Sequence, residues 1–199
     1  MDAYIITLPG EDARLSATMH ALQPYMPWLD LYVCVGQDGR EASKQLIEGF
    51  GGDPRYPGRF GCMLSHALVW QTILHSHVGE ENEYRLVLED DANPHDVDKI
   101  VNAEAGHDLV LVNDRAHSLR KEHDHGLGTD GYLLTPIGAK RLLELLQRDG
   151  YGGHLDGRIA QYIKTNEIDA IRLGYAITEH ENLVGPRQRF DMGVPDVEK

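Results

Sequence analysis

Five short runs of β-branched and other apolar residues recur along the chain: AYIITL (3–8), LYVCV (31–35), RLVLE (85–89), DLVLVN (108–113) and GYLLT (131–135). Runs of this length, bounded by turn signals such as Pro9-Gly10 and Gly36-Gln37-Asp38-Gly39, read as strands, the first of them buried. Helical patterns lie between them. Residues 11–22 form one, stopped near Pro24, and residues 41–50 another, closed by Gly51-Gly52. The segment 62–74 is apolar on nearly every side and reads as a buried helix. Thr135-Pro136 is a helix start, with Thr as cap and Pro at the first helical position, and that helix runs to about Arg148. A shorter helix is expected over 155–163, and short strands over 170–172 and 175–178. Such alternation predicts an α/β fold with a mostly parallel sheet flanked by helices. With no repeat or linker, residues 1–185 read as one domain and 186–199 as a C-terminal tail.

Composition narrows the function. The 199 residues are 41% apolar, enough for a real core. Nineteen basic residues face 32 acidic ones, a formal charge of −13. That charge opposes nonspecific binding to nucleic acid or anionic membrane and suits a metal or cationic partner. Two cysteines, Cys34 and Cys62, make no disulfide framework and are expected reduced and buried. The N-terminus lacks the basic start and long apolar stretch of a signal peptide. No window reaches the ~18 apolar residues of a membrane span. A cytoplasmic protein is expected, with the inner face of the membrane as its alternative place.

The chemistry gathers at LVLEDDAN (86–93), where an apolar strand runs into Glu89, Asp90 and Asp91. In open α/β sheets ligands bind at the carboxyl ends of strands. Adjacent carboxylates need a cation, a partner or free water. Hard divalent ions such as Mg²⁺ and Mn²⁺ join one or two carboxylates to substrate phosphates. A solvated acidic turn before Asn93-Pro94 fits equally well.

Four segments, in order, change that balance: YIITL at the start, PGRFGCMLSHALVWQTIL (57–74), YRLVLEDDA (84–92) and GTDGYLLTPIGAKRLLELL (128–146). Together they resemble glycosyltransferase family 25, the lipooligosaccharide galactosyltransferase-like group. The resemblance implies a GT-A-like, Rossmann-type fold, a UDP-sugar donor, a hydroxyl acceptor on a glycan, and Mn²⁺ or Mg²⁺ as cofactor. By the same likeness Asp91 is the first metal ligand, with Glu89 nearer the donor ribose, Asp90 beside them, and His180 as a late metal ligand. Thr7, Leu8 and Arg14 follow the first strand on the donor side; the family's arginine immediately after that strand is absent from LPGEDAR. Ser65 and His66 line the donor site, or else hydrogen-bond internally and support the acidic loop. Gly128 and Thr129 approach the sugar or phosphate, or form a plain turn, and Asp130 touches the donor sugar. YGGHLDGRI (151–159) looks like the acceptor-side loop of inverting enzymes, with Asp156 as catalytic base; a helix cap is its alternative role.

The segment HSLRKEHDHG (117–126) is a rival site. His117, His123, Asp124 and His125 could hold a separate metal. Otherwise it is a loop from which Arg115, Arg120 and Lys121 reach donor phosphates. The leading expectation is metal-dependent transfer of a hexose such as galactose to an acceptor hydroxyl, with inversion. A metallohydrolase and a silent nucleotide-sugar-binding module are the alternatives.

Overall fold

The computed structural model describes residues 1–76, 79–103, 106–113 and 128–179. Seven strands form one sheet: β1 (Asp2–Thr7), β2 (Asp30–Val35), β3 (Arg85–Glu89), β4 (Ala92–Pro94), β5 (Leu109–Asn113), β6 (Gly131–Leu134) and β7 (Ala170–Glu179). Their order is β2-β1-β3-β6-β5-β7-β4. β1 pairs in parallel with β2 and β3, and β5 with β7, while β6 and β4 run the other way. Five of the seven strands thus share one direction. The two short strands expected over 170–178 are one continuous strand.

The helices are α1 (Asp12–Leu22), α2 (Lys44–Gly49), α3 (Pro57–Ser76), α4 (Val97–Val101), α5 (Pro136–Asp149) and α6 (Leu155–Lys164). The helix expected over 41–50 is broken: residues 39–41 form a 3₁₀ turn, and Ser43 caps α2 by accepting from the amide of Leu46 (3.2 Å). α5 begins as its sequence requires, with the Thr135 hydroxyl accepting from the amide of Gly138 (3.0 Å) and Pro136 in the first turn.

Strand alternation divides the core between two layers. Tyr4, Ile6, Val87 and Tyr132 face α3, α5 and α6 and pack on Met63, Trp70, Leu142 and Ile159. Ala3, Ile5, Leu86 and Leu88 face α1 and α4 and pack on Leu22, Val97 and Ile100. β2 is an edge strand, and Tyr32, Val33 and Val35 are exposed along it. Cys34 and Cys62 form no disulfide and are half-buried rather than buried. No described helix is long and apolar enough to cross a membrane. The proposed tail, 186–199, lies outside the described residues.

Candidate active site

The carboxyl ends of β1, β3, β5 and β7 and the start of β6 lie along one edge of the sheet, because β6 runs opposite to its neighbours. The acidic run sits there, with Glu89 ending the strand and Asp90 and Asp91 in the turn that follows. Glu89 shares a face with Val87 and turns toward α3. The Thr129 hydroxyl donates to its Oε1 (2.6 Å), and His66 Nε2 lies 3.3 Å from the same oxygen. The main chain adds a bond from the Glu89 amide to the Asp130 carbonyl (3.0 Å).

Asp90 and Asp91 turn toward α1 and are buried. The Thr7 hydroxyl donates to Asp90 Oδ2 (2.8 Å). Arg14 Nη2 reaches both carboxylates, at 3.1 Å from Asp90 Oδ1 and 2.6 Å from Asp91 Oδ2. One turn further along α1, the Thr18 hydroxyl bonds the carbonyls of Asp90 (2.7 Å) and Ala92 (2.9 Å) and fastens the helix to the acidic loop. Burial pushes the Asp90 carboxyl above its usual range even though Thr7 and Arg14 pull it down.

Two carboxylates sharing one guanidinium keep a net negative charge, and their donor atoms are all oxygen. The pair therefore fits a hard divalent ion such as Mn²⁺ or Mg²⁺ in both charge and ligand type; Arg14 holds that place in this structure. A second group, Cys62, His66 and Glu89, has ligand atoms all within 4.8 Å of one another and is of softer character. His180 lies outside the described residues; β7 ends at Glu179, paired with Ala92 beside Asp91. The His117–Gly126 segment and Arg115 also lie outside them.

The remaining residues divide. Ser65 is buried with its hydroxyl committed on both sides, accepting from the Gln37 amide (2.7 Å) and donating to the Gly61 carbonyl (2.7 Å). Leu8 is half-buried, and its carbonyl accepts from the Glu11 amide (3.2 Å). Gly128 takes a left-handed φ of 65°, and its carbonyl accepts from Asn113 Nδ2 (2.8 Å). Asp130 is buried, with Oδ1 3.4 Å from the same Asn113 nitrogen. Asp156 is the second residue of α6. The cap position belongs to His154, whose side chain makes no cap bond; Asp156 Oδ1 accepts from the first-turn amide of Gly157 (2.7 Å). The glycine-rich turn before it is pinned by Arg158 Nε to the Gly152 carbonyl (2.8 Å) and by the Tyr151 amide to the Phe50 carbonyl (2.7 Å). Tyr151 also packs against Phe60 in the first turn of α3, which places the turn at the same end of the sheet.

The model of glycosyltransferase family 25 (LPS biosynthesis protein) matches residues 57–108, the segment that carries α3 and the acidic strand. Over that segment the chain is similar to the family 25 glycosyltransferases. Its fold is that of the GT-A enzymes. The galactosyltransferase LgtC, solved with donor and acceptor sugar analogues, aligns with 92% of this chain and 87% of its own at a TM-score of 0.55 and 9% identity. The glycosyltransferase GlyE of Streptococcus pneumoniae TIGR4 aligns with 98% of this chain and 57% of its own, at 0.57 and 10%. A mutant of Drosophila β1,4-galactosyltransferase 7, in complex with manganese, UDP-Gal and xylobiose, aligns with 100% of this chain and 75% of its own, at 0.50 and 10%. At such identities the likeness is one of fold. No curated protein matches the chain at a significant level.

The family-matched helix has two jobs. Gly61 lets the loop after β2 dock on α3: a Cβ there would stand 2.4 Å from the Gly39 amide nitrogen and 2.5 Å from the Gln37 carbonyl oxygen. Ser65 secures that docking, and His66 faces the acidic strand. Two residues that back His66 were missed in the sequence. Trp70 and Tyr132 lie behind His66, with the Tyr132 oxygen 2.8 Å from both Trp70 Nε1 and His66 Nδ1. The four-residue spacing of Cys62, His66 and Trp70 on one helix face was the available signal.

Proposed function

We propose that the enzyme moves a hexose, galactose first among candidates, from a UDP-sugar to a hydroxyl of a glycan acceptor, with Mn²⁺ or Mg²⁺ held by Asp90 and Asp91. The observation that carries this reading is the pair of hydrogen-bonded sets at the strand ends, Thr129 with Glu89 on one side of the sheet and Thr7 and Arg14 with the carboxylates of Asp90 and Asp91 on the other. The UDP-Gal and manganese of the Drosophila enzyme, and the sugar analogues of LgtC, are ligands of the same chemistry.

A bound divalent ion supplies positive charge for the departing diphosphate. The chain does the rest. Arg14 offers planar, forked donors suited to phosphate oxygens. Glu89 accepts hydrogen bonds from donor hydroxyls. Asp156, half-buried at the start of α6, takes the proton of the acceptor hydroxyl. The acceptor oxygen then bonds to the anomeric carbon while the bond from that carbon to the diphosphate oxygen breaks on the opposite side, so the configuration inverts and UDP leaves.

The deciding experiment is transfer by Asp156→Asn. Turnover is expected to fall ~100- to 10,000-fold, with UDP affinity and melting temperature near wild type. Normal transfer would remove Asp156 from the chemistry and leave Asp130 as the next base. UDP release that needs no acceptor would favour hydrolysis, and binding without turnover a silent module. A second reading has its own observation, the 2.6 Å pairing of Arg14 with Asp91: the guanidinium alone serves as the cation. UDP affinity that is unchanged by chelator or by saturating Mn²⁺ would favour it.

A further inference from the structure

Behind Glu89 runs a line of polar groups that the steps above do not use. Trp70 Nε1 lies 2.8 Å from the Tyr132 oxygen, that oxygen 2.8 Å from His66 Nδ1, and His66 Nε2 3.3 Å from Glu89 Oε1, which also accepts from Thr129. The direction of each proton follows by elimination. An indole N–H only donates, so Trp70 gives its proton to the Tyr132 oxygen. Tyr132 is fully buried, and among the described residues its hydroxyl meets only Trp70 and His66. Its own proton therefore has one acceptor, His66 Nδ1. An imidazole that accepts at Nδ1 carries its proton on Nε2 when neutral, and Nε2 faces Glu89. The other tautomer would strand the tyrosine proton in the core and turn a lone pair toward a carboxylate.

We propose that Tyr132 is a positioning residue that locks His66 in its Nε2–H tautomer, and that His66 thereby holds Glu89 as a fixed, acceptor-only carboxylate for the hydroxyl groups of the nucleotide-sugar donor. This rests on the donor-site reading given above. The lock also sets the chemistry of the Cys62–His66–Glu89 group. With Nε2 protonated, a soft metal there would have to displace that proton, so the lock disfavours metal binding at this group.

The test joins a spectroscopic readout to a binding one. In the full chain, nitrogen NMR of His66 should show Nδ1 as the bare ring nitrogen and Nε2 as the protonated one. Tyr132→Phe removes the proton donor at Nδ1 and leaves only the longer Nε2–Glu89 contact to favour this tautomer. Its His66 signals should move toward a mixture of tautomers, and the dissociation constant for UDP should rise about tenfold, the scale of one hydrogen bond to a charged group, with little change in kcat. Trp70→Phe removes a donor that does not set the tautomer; it should lower stability while leaving the His66 signature and UDP affinity in place. His66→Gln, whose amide can accept from Tyr132 and donate to Glu89 together, should retain more UDP affinity than His66→Leu. A wild-type His66 protonated at Nδ1, a signature unmoved in Tyr132→Phe, or equal losses of UDP affinity in Tyr132→Phe and Trp70→Phe would overturn the proposal. Should Tyr132→Phe fail to fold, the wild-type spectrum and the Gln–Leu pair still decide. An intact His66 signature in a protein that binds no UDP would refute the donor-site reading and leave the tautomer lock standing.

Discussion

Glu89 and its two neighbours carry the same charge, yet the structure treats them differently. Glu89 is met by the Thr129 hydroxyl and the His66 ring and keeps a partly exposed side chain. Asp90 and Asp91 are buried against a cation, Arg14, on the other side of the sheet. The difference explains how three consecutive carboxylates can end a strand. The strand ends at Glu89 and the chain turns at Asp90 and Asp91, so the carboxylates meet different helices and each layer handles its own share of the charge. The turn also separates their surroundings: Glu89 meets a hydroxyl and an imidazole, whereas Asp90 and Asp91 share a guanidinium.

The sharpest way to break this comparison is to remove the cation. Arg14→Ala leaves two buried carboxylates without their guanidinium. It should cost about 3 kcal/mol, the low end for breaking a buried ion pair because Arg14 retains some solvent contact. Added Mn²⁺ should then raise the melting temperature of the variant more than that of the wild type. Equal melting of the two proteins, with no response to Mn²⁺, would show that the Asp90–Asp91 pair needs no cation.

A smaller effect is expected on the Glu89 side. Glu89→Gln keeps an oxygen for Thr129, so chemical denaturation should find stability within ~1 kcal/mol of wild type. Calorimetry should find UDP affinity reduced about tenfold, the scale of losing a charged acceptor. A large loss of stability instead would make Glu89 a structural residue like its neighbours.

The smallest effect is a slope. Burial raises the folded-state pKa of Asp90. The native chain therefore holds that proton more tightly than the unfolded chain, whose aspartates titrate near ~3.9. The stability gained from this is complete below the unfolded value and is lost as pH rises through the raised folded value. Relative to Asp90→Asn, the urea midpoint of the wild type should decline over that interval. Parallel curves for the two proteins would mean that Arg14 and Thr7 fully offset the burial.

Much of this was legible in the sequence. The runs at 3–8, 31–35, 85–89 and 108–113 became strands with ends shifted by a residue or so, and Thr135-Pro136 opened a helix, because β-branched runs and caps are local signals. β4 was not legible: three residues ending in Pro94 resemble a turn, and proline is tolerated there because β4 is the outermost strand of the sheet. The break between Glu41 and Lys44 lay in Ser43, a capping residue overlooked inside a helical pattern. At the site, the acidic run and His66 stood out by residue type. The placement of Arg14 over Asp91 did not, since it depends on how α1 packs beside the acidic loop. Nor did Tyr132, which reads as one apolar position in GYLL until Trp70 and His66 meet its hydroxyl.

The reversed strand β6 has a consequence for the chain while it is being made. Thr7 meets Asp90 across 83 residues, and Glu89 meets Thr129 across another 40. Contacts so distant in sequence form late, because the loops between them must close first. A polypeptide emerging from its N-terminus therefore presents the finished acidic run well before the hydroxyl that steadies Glu89 has been synthesised. The N-terminal layer, with Thr7, Arg14 and Thr18 already available, can receive Asp90 and Asp91 first. The acidic site is thus assembled in two instalments, with the Asp90–Asp91 half in place before the Glu89 half.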